Sequence, residues 1–137
     1  MNVLYDLPPG PKIPNVINVF VEIPMGSRNK YEYDKKYGLI KLDRVLYSPV
    51  HYPGDYGFIP QTLWDDGDPV DVLVITKFPV PCGTLIEARP IGAIEMIDNK
   101  EDDIKILAVN ANNPGDNHIQ DVKDLSPFLV EEIKHFL

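Results

Sequence analysis

The chain has a single cysteine, Cys82, among its 137 residues. No disulfide can form within it, and a reducing, cytoplasmic setting is expected. Long apolar runs are missing too. No stretch approaches the roughly 18 apolar residues of a membrane helix, and Met1 to Pro14, punctuated by prolines, lacks the apolar centre of a signal peptide. A soluble, unexported protein without membrane partners is expected. Basic side chains are in the minority, 13 against 21 acidic ones, for a formal net charge of −8. That balance repels nucleic-acid phosphate and disfavours binding through a basic face, while it attracts cations.

What is present reads as one globular domain over residues 1–137, with 44% hydrophobic and 25% charged residues. Val16 to Ile23 alternates, with Ile17, Val19, Val21 and Ile23 on one face and Phe20 and Glu22 on the other. Lys30 to Asp34 and Leu39 to Leu46, around the turn at Lys36-Tyr37-Gly38, predict a hairpin. His51 to Gly57, rich in Pro, Gly and Tyr, is expected to be neither regular strand nor helix. Further strands are expected at Asp71 to Thr76, at Thr84 to Ile97 with a bend at Pro90 and Gly92, and at Asp103 to Val109. Only Asp124 to Leu137 has helical spacing, through Leu125, Phe128, Leu129, Ile133 and Phe136. A mainly β protein follows, a small barrel with a C-terminal helix against it. That helix stops on Phe136 and Leu137 without a glycine or proline stop signal, which reads as a chain cut short.

The chemistry concentrates in Trp64-Asp65-Asp66-Gly67-Asp68-Pro69-Val70-Asp71, four carboxylates within eight residues of a forced turn. Carboxylates this close need protons or cations between them, and hard cations such as magnesium prefer such oxygens. A solvated acidic turn is the plain alternative. A calcium loop of EF-hand type is not, because Asp71 stands where its glycine belongs and Lys77 where its last carboxylate belongs. A second acidic group, Asp98 to Lys105, frames a tight turn, with Asp103 and Lys105 on one strand face. Lys30, Arg44 and Lys105 together offer the fork and point charges that a polyphosphate needs.

Val21-Glu22-Ile23-Pro24, Lys30-Tyr31-Glu32, Leu42-Asp43-Arg44, Tyr52-Pro53-Gly54-Asp55-Tyr56-Gly57, Asp66-Gly67-Asp68-Pro69-Val70-Asp71 and Arg89-Pro90-Ile91-Gly92, in that order, closely resemble the family I soluble inorganic pyrophosphatases. The resemblance implies a five-stranded OB-type β-barrel with flanking helix, and magnesium-dependent hydrolysis of pyrophosphate to two phosphates. Several Mg2+ ions per site are implied, and other divalent cations are able to substitute. On this resemblance Asp66, Asp71 and Asp103 hold the activating metal, with Asp71 bridging to a second ion. Asp98, with Asp103, holds an ion that arrives with substrate, and a further ion reaches Glu22 through water. Asp68 matches the general base. Lys30, Arg44 and Lys105 match phosphate-binding positions, Tyr56 a residue lining the site, and Glu32 and Tyr52 supporting positions.

Two metal ions sharing a water would bring its pKa towards neutrality, which answers the repulsion between a polyanion and its nucleophile. Cys82, His51, His118 and His135 lie off the matched catalytic positions. Members of the family carry a tyrosine–lysine pair beyond the point where this chain ends, a pair that binds the second phosphate. The alternative is therefore a catalytically weak metal- and phosphate-binding relative. An OB-fold nucleic-acid binder is disfavoured by seven site carboxylates against three basic groups. The prokaryotic type implies a homohexamer.

Overall fold

The computed structural model describes residues 2–62, 68–98 and 101–137. In chain order its strands are β1 (Ile17–Ile23), β2 (Asn29–Asp34), β3 (Leu39–Val45), β4 (Asp55–Phe58), β5 (Asp71–Ile75), β6 (Leu85–Asp98) and β7 (Glu101–Asn110). Two helices flank them, α1 (Val3–Asp6) and α2 (Pro127–Phe136). Five strands close into a ring in the order β1-β4-β5-β7-β6, while β2 and β3 form a separate two-stranded sheet. The five-stranded OB-type barrel and the hairpin expected from the sequence are both present.

Alternation along the strands divides the core. Val72 and Val74 of β5 join Ile17, Val19, Val21, Ile86 and Ala88 in one buried cluster. Leu73 and Ile75, the intervening residues, join Leu107, Val109, Leu125 and Ile133 in a second cluster beneath α2. β5 is thus buried on both faces and reads as a continuous apolar run. A third cluster, Phe20, Tyr33 and Phe58, lies where β2 covers the barrel, with Val3 and Leu4 of α1 packed against it. The expected bend in β6 is a register shift between Pro90 and Gly92 in its pairing with β7.

Three expectations need correction. Asp55 to Gly57, the end of the stretch expected to be irregular, belongs to β4, which pairs with both β1 and β5. Its glycine permits the pairing rather than breaking it, because a Cβ on Gly57 would collide with the Phe20 carbonyl. Close backbone approach has won over turn propensity. The helix expected from Asp124 begins only at Pro127, since Val122–Asp124 is a 3-10 turn, and Phe128 is consequently turned out, 80% exposed. The last segment is also not the only helix. α1 is a single turn capped by the Asn2 side chain, which accepts from the Leu4 N–H at 3.0 Å, and four residues are too few to show periodicity.

Gly57→Ala should therefore destabilise the barrel by about 3 kcal/mol, an overpacking cost against fixed backbone. Gly26→Ala, whose added Cβ meets nothing but whose φ is +85°, should cost about 1 kcal/mol. Urea unfolding of the two variants checks the difference; equal losses would contradict the close-approach argument.

Candidate active site

Parallel pairing of β5 with β7 sets Asp71 directly beside Lys105. The ammonium of Lys105 lies 2.6 Å from Asp71 Oδ2 and 3.1 Å from Asp103 Oδ2. One cation thus serves two carboxylates from adjacent strands. Lys105 also sits 5.7 Å from the ring centroid of Tyr56, which β4 contributes. Burial pushes the Tyr56 hydroxyl well above the usual phenol range, and the neighbouring Asp71 charge adds to it. Burial opposes charge on Lys105, but Tyr56 and Asp71 outweigh it and hold the ammonium above the usual lysine range. Burial likewise raises the Asp71 carboxyl, with the Lys105 hydrogen bond and charge pulling against it.

Asp71, Lys105 and Tyr56 form one wall of a cavity of about 530 Å³, bounded by the barrel, by β2 and by the end of α2, while Asp103 touches Lys105 without lining it. Glu22, Lys30, Glu32, Tyr52 and Asp68 complete the set of expected site residues that line it. Glu22 Oε2 accepts the Tyr33 N–H at 2.8 Å, a bond from barrel to hairpin. Burial pushes its carboxyl up to about 7, against the pull of that backbone bond. Lys30 is held by Asp43 Oδ2 at 3.4 Å. The Tyr52 ring stands 5.7 Å from Tyr56 and 4.6 Å from Phe136 of α2.

Not every expected residue joins this set. Arg44 pairs in register with Lys30 but is exposed and does not line the cavity. A bulge between Lys30 and Tyr31 makes Asp43 the extra residue of β3, and Arg44 reaches the site through its charge on Tyr52, whose hydroxyl burial raises. Asp66 lies outside the described residues, as do Trp64, Asp65 and Gly67. Asp98 is described by its backbone, opposite Glu101, while Asp103 pairs with Met96. Positions 98 and 103 thereby fall on one face of the β6–β7 ribbon. Sequence reasoning missed Tyr31, Lys35, Phe136 and Leu137 as cavity residues. Helical spacing marked Phe136 as apolar but carried no sign of what it would face.

Among the described residues no three His, Cys, Asp or Glu side chains converge at metal-ligand spacing. The donor set nonetheless fits hard cations. Asp71 and Asp103 are all-oxygen donors that already share one cationic group, and Glu22 and Asp68 line the same cavity. Lysines among these carboxylates add the partners of an anionic ligand. Barrel and cavity together define a class of site suited to divalent cations and phosphate.

A sequence profile of the inorganic pyrophosphatase family matches residues 19–137. The chain is 54% identical over 132 residues to an inorganic pyrophosphatase of Saccharolobus solfataricus, covering 95% of this chain and 77% of that protein. It is 54% identical to a soluble inorganic pyrophosphatase of Zea mays, with 96% of this chain and 62% of the other covered. The crystal structure of the inorganic pyrophosphatase of Thermus thermophilus superposes with a TM-score of 0.95 at 47% identity, over 99% of this chain and 78% of that one. The chain belongs to the inorganic pyrophosphatase family. No helix among the described residues is long and apolar enough to cross a membrane.

The raised Glu22 carboxyl gives a pH signature. Below about pH 4.5 the group is protonated in both folded and unfolded chains and contributes nothing. Between pH 4.5 and about 7 the unfolded chain ionises first, so stability falls as pH rises and levels off above 7. In the presence of a chelator, Glu22→Gln, which can still accept from Tyr33, should match the parent at pH 4.5 and exceed it by about 3 kcal/mol at pH 8. Parallel stability curves in urea would contradict the burial of this carboxyl.

Proposed function

We propose that this chain hydrolyses inorganic pyrophosphate to two phosphates, with Asp68 as general base. The observation that carries the reading is the single cavity shared by Asp68, Asp71, Lys30 and Lys105, in a chain 54% identical to a protein named inorganic pyrophosphatase. Asp71 and Asp103, with Asp66, Asp98 and Glu22 as the resemblance implies, would hold divalent cations, magnesium first among them. When bound, such ions supply charge neutralisation and acidify water.

The chain's own residues do the rest. Lys30 and Lys105 bind the phosphate oxygens and offset their charge, and Arg44 adds charge from the rim. Asp68 orients a water and accepts its proton as the water oxygen attacks phosphorus. The bridging P–O bond breaks, its electron pair stays on the departing phosphate, and no covalent enzyme intermediate forms. Tyr56, kept protonated by burial, donates rather than accepts near Asp71. The reading includes the homohexamer and cytoplasmic setting that the resemblance implies, and sedimentation of the purified protein tests the first of these.

Asp68→Asn should lower phosphate release by about 10²- to 10⁴-fold while magnesium binding, followed by calorimetry, is unaltered. Unchanged turnover would refute the general-base role. Asp71→Asn should shift the magnesium titration itself to higher concentration; an unshifted titration would contradict metal binding at that carboxylate.

A further inference from the structure

β2 and β3 stand apart from the barrel as a sheet of their own, yet this hairpin supplies Lys30, Glu32 and Tyr31 to the cavity. Its far end is tied by the Tyr33 N–H to Glu22 and by the Val3 N–H, which donates to the Tyr33 hydroxyl at 3.1 Å. Its near end hangs on the loop of residues 24–28. That loop is stitched to the Tyr52 segment, with Gly26 N–H donating to the Tyr52 carbonyl at 2.8 Å and Tyr52 N–H to the Ser27 carbonyl at 3.1 Å.

Beneath the loop lies Asp55, a carboxylate with 0% exposure and no part in the chemistry above. Its Oδ1 accepts the Met25 N–H at 2.8 Å, and its Oδ2 accepts the Val80 N–H at 3.3 Å. Met25 belongs to the loop leading into the hairpin, and Val80 to the connection between β5 and β6. A carboxylate sealed from water is expensive unless both oxygens find donors, as they do here. Asparagine can keep only one of the two bonds, because its amide nitrogen would face the other N–H donor.

We propose that Asp55 is a positioning residue, which anchors the β2–β3 hairpin to the barrel and so sets the affinity of the cavity for pyrophosphate. The proposal rests on the function read above. With the anchor lost, the hairpin must be ordered by the substrate itself, which weakens binding without altering the bound reacting geometry.

Steady-state phosphate release and amide hydrogen exchange of the full chain test it together. Asp55→Asn should raise KM about tenfold and leave kcat within about twofold. The amides of Met25 and of residues 30–33 should exchange faster, while those of Leu73 and Leu107 in the barrel keep their rates. An unchanged KM, or faster exchange spread evenly through the barrel, would overturn the proposal. The unmodified protein supplies an independent arm that does not depend on the variant folding. Its Met25 amide should exchange as slowly as barrel amides, and exchange at the rate of an open turn would overturn the anchor. If the unmodified chain releases no phosphate, the function reading falls while the Met25 amide still decides the anchor.

Discussion

The parallel pairing of β5 with β7 is the constraint from which the site follows. It sets Asp71 against Lys105, and the two-residue period of β7 then puts Asp103 on the same side. Carboxylates this close would repel each other in a half-buried wall. The lysine between them makes the arrangement tolerable, and it leaves a residual negative charge that a second cation can share. Tyr56, brought by β4, caps the cluster and stays protonated. Neither the charge sharing nor the capping survives if β5 slips by one residue, because every side chain would then change face.

Around this cluster the barrel acts as a frame and the hairpin as an attached wall. The frame is buried on both sides, by its own interior and by α2. The wall is held by a few hydrogen bonds and by the Phe20, Tyr33 and Phe58 cluster. Separating the two sets Asp71 and Asp103 on strands of the barrel and Lys30 on the attached hairpin. α2 contributes from the other side, where Phe136 rests against Tyr52. The aromatic contact runs on to Tyr56, so one stack connects the helix end to the charged centre.

Much of this was legible in the residues themselves. Alternation in Ile17 to Ile23 disclosed β1, and the bend at Pro90 and Gly92 was visible because proline lacks a donor. The clustering of Asp68 and Asp71 marked a stretch whose carboxylates line the cavity, and the spacing of Asp103 and Lys105 put both on one face. What was hidden depends on partners distant in sequence. Gly57 read as a loop residue because the Phe20 carbonyl that requires it lies 37 positions away. The Tyr33 N–H that meets Glu22 was hidden too, since the two residues lie on different strands 11 positions apart. The bulge that leaves Asp43 as the extra residue of β3 is a matter of register, which side-chain types alone do not encode. Asp55 lay in a quoted motif with no role until both of its donors were in view.

Release of phosphate from pyrophosphate by the unmodified chain is the measurement that decides whether this acidic barrel works as the proposed hydrolase. Magnesium is titrated from zero, with a chelator control. Release should rise with magnesium and stop on chelation. Absence of release across the titration, with magnesium still bound, would contradict the proposed function and leave a cation- and phosphate-binding relative that has lost turnover.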